Sequence, residues 1–278
     1  MKTALTPGQQ RALVTLLGDG DKPTVDMVKR ELIQAGPEHL PEYQELLLGS
    51  TPAAARHLRE VIDKLEAAQS LGTISRALAR LKTYEQLEDL CWDLARAEQG
   101  GFEGGPYSRQ LDAWGEALKD YMAKGATDME KVRAMTRYLA MEQRLTGNHH
   151  DYYHPRNSYL PWVMEFRQGL PLTLTLLYIL VGRRAGLNVE GISAPGHFVA
   201  RLGDIYFDPY YSGRIISEDE WERITAEVAE QHRHLITRAC TPLQMVHRML
   251  INLRNAYIKR DDEARQKRVD CFLAVLQH

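Results

Sequence analysis

Residues 169–209 read GLPLTLTLLYILVGRRAGLNVEGISAPGHFVARLGDIYFDP, and this stretch decides the fold. Its first part, Pro171 to Val181, is an apolar run of eleven residues, followed by Gly182-Arg183-Arg184 and closed at Gly186. A membrane span needs about 20 apolar residues, so this run points to a helix buried in a protein core. Proline suits a first helical turn because the amide it lacks has no intrahelical partner there. Arg183 and Arg184 suit the negative end of the helix dipole, and Gly186 can take the left-handed stop. Val189 to Leu202 alternates about a Pro195-Gly196 turn and predicts two strands. Ile205-Tyr206-Phe207 predicts a third, after the Gly203-Asp204 turn and ahead of Asp208-Pro209. A buried helix followed by an antiparallel meander sets His197 at the start of one strand and Asp208 at the end of the next.

Downstream, Tyr210 to Ile216 turns at Gly213, and Ser217 with Glu220 caps a helix written EDEWERITAEVAEQ. Thr241-Pro242 with Gln244 starts another, with Met245, Met249, Leu250, Leu253 and Tyr257 on one face down to Arg260. Asp261 and Asp262 lead into a last helix, with Val269, Phe272, Leu273 and Leu276 at helical spacing. The basic residues of this tail are interspersed with acids and read as a solvated face.

Upstream, residues 1–80 read as short amphipathic helices. Leu5, Ala12, Leu13, Leu16 and Leu17 line the first. Thr24 caps a second, which carries Val25, Val28, Leu32 and Ile33 before Gly36-Pro37. A third covers His39 to Leu48, and a fourth Pro52 to Leu71. Thr83 with Gln86, and Thr127 with Glu130, form capping boxes for two further helices, the second reaching about Leu145. Between them, Gly100 to Pro106 predicts a flexible connector, and Ser108 begins a helix ending near Gly125. Cys91 falls on an inward stripe with Leu87, Leu90 and Leu94 and reads as packing.

Lys plus Arg number 35 and Asp plus Glu 37, a net charge of −2, which gives no electrostatic case for nucleic acid or an anionic membrane. The three cysteines, Cys91, Cys240 and Cys271, are widely spaced and odd in number, as expected of free thiols in a reducing compartment. The first residues show no signal-peptide pattern, so a cytoplasmic location is expected. The loop from Gly147 to Asn157 holds His149, His150, Asp151 and His154 within six positions. Adjacent ligands on one loop rarely enclose a metal without distant help, so no metal and no cofactor is expected. The reading adopted for the loop is a polar rim, with Arg156 and Asn157 bonding backbone groups.

The motifs PRNSYLPWVMEFRQGLPLTLTLLYILVGRRAGL, PGHF and FDP together resemble the transglutaminase-like superfamily, whose fold is related to papain-like cysteine proteases, and within it the SirB-type subgroup. The resemblance covers about residues 107–258. It implies a cysteine at the N-terminus of the buried helix, a histidine on the second strand after it and an aspartate on the third. The last two map to His197 and Asp208. The nucleophile position falls at or beside Pro171, where there is no thiol, and the subgroup commonly lacks that cysteine too. Residues 1–80 resemble HEAT-type helix pairs, and residues 241–278 the opening of a TPR-like region.

Acyl transfer by cysteine needs a thiolate, a base and a group that orients the base. Here the orienting pair is present and the nucleophile is not. Thr173 and Thr175 follow on the same helix, beyond the nucleophile position, and Cys240 could fold back toward His197. The expected fold is α+β: mostly helical, with a small antiparallel sheet packed on a central buried helix. The expected organisation is a helical extension at 1–80, the core at 81–240 and a helix pair at 241–278. The expected function is binding of a protein, peptide or small ligand by a catalytically inactive core. His197 and Asp208 would form the remnant pair, and Arg156, Asn157, Gly169, Pro171 and Gly196 the candidate binding positions. The alternative is a hydrolase or acyltransferase using His197 and Asp208 with water or a relocated nucleophile. A third is a scaffold working through its helical ends.

Overall fold

A computed structural model of the chain describes residues 5–226, 228 and 237–276. Contacts divide it into two compact units, Met1–Thr73 and Ile74–His278. The division falls inside one continuous helix.

The first unit holds α1 (Pro7–Leu17), α2 (Lys22–Ala35), α3 (Leu40–Leu48) and the first part of α4 (Pro52–Arg80). Leu17, Val28, Leu32, Leu40, Tyr43, Leu58, Ile62 and Leu65 make its core. Thr6 and Gln9 form a capping box for α1. The cap of α2 is Asp21, whose carboxylate accepts from the Thr24 amide at 3.1 Å, so Thr24 lies inside the helix rather than capping it. α4 does not end at Leu71. It runs through Gly72 to Arg80, because Ile74 and Leu78, four residues apart on one face, are both buried. One glycine costs a helix only about 1 kcal/mol, less than those two burials return.

The second unit is mostly helical around a small sheet. α5 (Tyr84–Glu98) and α7 (Asp128–Thr136) start with the expected capping boxes. α6 starts earlier than Ser108, at Gly105, and ends at Tyr121. The glycine-rich segment before it is tied down by rings: Phe102 lies 6.3 Å from Trp92 and 5.3 Å from Tyr107. Gly104 sits so close to Trp92 that a Cβ there would come within 2.6 Å of the indole. α7 continues as a π-helical turn over Arg137–Glu142. Two short strands, β1 (Thr146–Gly147) and β2 (Gln168–Gly169), pair in parallel on either side of α8 (Leu160–Phe166).

α9 (Pro171–Arg184) is the axis of this unit. Every residue from Leu172 to Gly182 is buried. Each large apolar side chain buried in this way contributes roughly 1.5–3 kcal/mol, so packing dominates over helix propensity here. Gly186 takes the left-handed stop at φ 80°. The meander follows as β3 (Glu190–Ala194), β4 (His197–Leu202) and β5 (Ile205–Asp208), with a short fourth strand, β6 (Arg214–Ile215), in the order β3-β4-β5-β6, all antiparallel. α10 (Glu218–Thr225) is capped by Ser217. Ala226 caps its end, and the remainder of the helix expected from EDEWERITAEVAEQ lies outside the described residues, Val228 apart. The Pro242–Lys259 and Glu263–Val275 helices close the chain as a packed pair, the first opened by the Thr241–Gln244 capping box. Among the described residues no helix is long and apolar enough to cross a membrane.

Candidate functional site

Pro171 is the first residue of α9, and its N-cap, Leu170, offers no side-chain cap. Thr173 is the third residue, inside the first turn and nearer the helix start than its place in the sequence suggested. Its hydroxyl is fully buried and, among the described residues, has no hydrogen-bond partner. Thr175, one turn deeper, is also fully buried, and its hydroxyl donates to the Phe198 carbonyl at 3.4 Å, fastening α9 to β4 beside His197.

The sheet register brings His197 and Asp208 close. Ala200 pairs with Phe207 and Arg201 with Tyr206. Extending that register by one residue sets Asp208 beside Val199, two positions from His197 and on the same face. Alternation also assigns the faces. Phe198 and Phe207 turn to α9, where Tyr178 lies 6.0 Å from the Phe207 ring. Val199 turns the other way, into a cluster with Ile192, Ile216, Tyr206, Trp221 and Ile224. His197 and Asp208 share that second face, the one α10 covers. Glu220 of α10 completes the neighbourhood, its carboxylate lowered chiefly by its bond to Arg214 and to a lesser extent by His197.

Asp208 is 3 % exposed. Its carboxylate accepts from the Tyr210 amide at 2.9 Å and is also held by the amide of Tyr211. Burial raises its pKa, and the two amides, His197 and Arg214 only partly offset that. Among the described residues no hydrogen bond joins the His197 ring to this carboxylate, and the backbone amides of the following turn hold Asp208 instead. His197 is half-buried, and its carbonyl accepts from Arg248 at 3.4 Å. Arg248 also bonds the Ser193 hydroxyl and lies 5.3 Å from the Phe198 ring centre.

The cysteines stand apart from this pair. Cys240 donates its amide to Gly191 at 2.8 Å, next to the Ala239–Ile192 bridge. β3 therefore separates it from β4, a gap of two strand spacings, or ~10 Å. Burial raises its thiol pKa, against smaller lowering by Ser193 and Arg248. Cys91 is 2 % exposed and burial pushes its thiol up strongly. Cys271 is exposed on the last helix.

The histidine loop splits in three directions. His149 packs its ring on Tyr210 at 4.6 Å, His154 Nδ1 accepts from the Arg156 amide at 3.1 Å, and Asp151 pairs with Arg260 at 2.7 Å. Among the described residues no three His, Cys, Asp or Glu side chains converge as metal ligands would. Asn157 is buried and knits the loop: its amide donates to the carbonyls of Asp151 (2.7 Å) and Tyr152 (3.0 Å), and its oxygen accepts from Asn148. Among the described residues the Arg156 side chain makes no such backbone bond; its guanidinium lies over the Phe166 ring at 5.2 Å. Gly169 accepts from the Asn148 amide at 3.1 Å within the β1–β2 pair, and Gly196 is the exposed turn between β3 and β4.

Two features escaped the sequence reading. At the C-terminal end of α9, a cavity of about 570 Å³ is lined by Tyr84, Glu88, Asp112, Arg183 and Arg184 among others. Beside the histidine loop, cavities of about 410 and 160 Å³ share His154, Arg156 and Trp162. Trp162 and Phe166, one helical turn apart and close after Arg156, were the available sequence signal.

A family model described as transglutaminase-like superfamily matches residues 106–251. A Xylella fastidiosa protein described as a UPF0162 protein is 36 % identical over 131 residues, 46 % of this chain and 47 % of that protein. UPF0162 protein PA3419 of Pseudomonas aeruginosa is 27 % identical over 154 residues, 54 % of this chain and 56 % of its own length. The human F-box only protein 21 is 28 % identical over 106 residues, 34 % of this chain and 17 % of that protein. The chain thus spans about half the length of the bacterial relatives it matches, and no solved structure matches it. With the buried helix, the meander and the His197–Asp208 placement in register, the match over more than half of its residues shows that the chain belongs to the transglutaminase-like superfamily.

Proposed function

We propose that this chain is a binding protein built on a transglutaminase-like core, without thiol-dependent acyl transfer. The observation that carries the reading is Pro171 at the first position of α9. A proline side chain has neither a proton to give up nor a lone pair to attack with, so no neighbouring group can activate it. The positions that could replace it are poorly placed: Thr173 and Thr175 are fully buried, and Cys240 lies across β3 from His197. Binding of a protein, peptide or small ligand then falls to the core, since one C-terminal helix pair is too short for a stacked groove of the TPR-like kind. Free cysteines suit a reducing, cytoplasmic setting.

The test is incorporation of a fluorescent primary amine into a glutamine-containing acceptor protein, together with labelling by a thiol-directed acyl probe. The expected result is no incorporation by the wild type, with labelling confined to the exposed Cys271. Incorporation that His197→Ala abolishes without loss of fold overturns the reading.

A second reading rests on Asp208, a buried carboxylate with a raised pKa near an imidazole, the kind of perturbed group found at reaction centres. Under it, His197 and Asp208 activate water for hydrolysis. Ester or amide hydrolysis lost equally in His197→Ala and Asp208→Asn would favour it.

A further inference from the structure

The paired cavities beside the histidine loop share a wall of His154, Arg156 and Trp162. The acidic groups around them are already engaged. Glu98 takes Arg265 at 2.7 Å and also Arg268; Asp262 takes Arg265 at 2.7 Å; Asp151 takes Arg260 at 2.7 Å. Among the described residues Arg156 has no carboxylate partner. It is exposed, its guanidinium is laid over Phe166, and its amide is fixed by His154. Burial, and after it Arg260, hold His154 below its usual pKa, which leaves Arg156 as the cation available to an incoming anion. Trp162 is half-buried and stands edge-on to the buried Tyr159, with ring centres 4.6 Å apart, so its indole is fixed in the wall common to both cavities.

We propose that this cleft binds a small anion carrying a planar ring system, with its carboxylate or phosphate on Arg156 and its ring against Trp162. A stacked guanidinium presents its donors in a fixed fork, which matches both anions and loses little freedom on binding. The larger cavity, about 410 Å³, lies within the range of small-molecule sites. The site is independent of whether His197 acts in catalysis.

The experiment is calorimetric titration of the full chain with 1-naphthoate, 1-naphthyl phosphate and the neutral 1-naphthamide. At least one anion is expected to bind tenfold or more tightly than the amide. Arg156→Gln should remove that preference, and Arg156→Lys should keep part of it, as a point charge without the planar fork. Trp162→Leu should weaken all three probes, and His197→Ala should change none. Which anion binds better separates a carboxylate ligand from a phosphate one. Equal binding of amide and anions, an unchanged preference in a folded Arg156→Gln, or no binding of any probe by the wild type would each overturn the proposal.

Discussion

The two ends of α9 are completed in opposite ways. At the C-terminal end Arg184 bonds Glu88 at 2.9 Å, Asp112 at 2.6 Å and the Leu180 carbonyl at 3.3 Å, while Ser108 donates to Glu88 at 2.7 Å. Arg183 lies over Tyr84, and the Gly186 and Leu187 amides return to the Arg183 and Gly182 carbonyls. Cations, caps and carboxylates all meet their complements there. At the N-terminal end the Leu170 side chain offers no cap, and among the described residues the Thr173 hydroxyl has no hydrogen-bond partner. Polar capacity unfilled at one end of a well-packed helix is where a structure departs from its own rules, and such departures cluster at sites of function. The C-terminal end is closed by ion pairs, and the N-terminal end keeps a buried hydroxyl without a partner among the described residues.

The largest effect expected is at the completed end. Arg184→Ala leaves Glu88, only 5 % exposed, without its cation. Stranding a buried charge costs several kcal/mol and breaking an exposed pair almost nothing; with Arg184 partly exposed, the loss should be about 2 kcal/mol. Urea denaturation measures it, and a loss under a few tenths would make this end no different from any surface pair.

Next are the two threonines, which should respond with opposite signs. Thr173→Val removes a hydroxyl that is buried without a partner and should stabilise the protein by about 1 kcal/mol. Thr175→Val removes a hydroxyl bonded to the Phe198 carbonyl and should cost about 1 kcal/mol. Both substitutions keep the β-branched shape, so packing changes little. Destabilisation by Thr173→Val, seen as a lower urea midpoint, would mean that the N-terminal end is satisfied after all.

The contrast between the ends follows what a sequence can carry. The buried run from Pro171, the arginines that close it and the Gly186 stop are local signals, as are the capping boxes at Thr83, Thr127 and Thr241. The strands holding His197 and Asp208 announce themselves by alternation between turns. β1, β2 and β6 do not, because two residues contain no period. α4 outran its expected end because the burial of Ile74 and Leu78 is a tertiary fact. The aromatic clamp on the glycine segment is tertiary in the same way. For the site, it is the register of β4 against β5 that sets His197 and Asp208 on one face, and the position of α10 that says which face. The cleft at Arg156 depends on helices far apart in sequence, so no window around Arg156 contains it.

The smallest effect, and the one that bears most on the pair itself, is the pH response of Asp208. Its folded pKa is raised by burial, so between the unfolded and folded values the native state holds a proton that the unfolded chain has lost. The stability this contributes is complete below the unfolded pKa, near 4 for an aspartate, and is lost as pH rises through the raised folded value. Asp208→Asn carries no such charge and can still accept from the Tyr210 amide. The variant should therefore gain on the wild type as pH goes from about 4 to 7, by less than either threonine change, since two amides, His197 and Arg214 offset much of the desolvation. Urea midpoints of both proteins across that range test it. A variant that instead loses ground toward neutral pH would mean that the carboxylate is stabilised in its charged form, which would remove the raised pKa on which the hydrolytic reading rests.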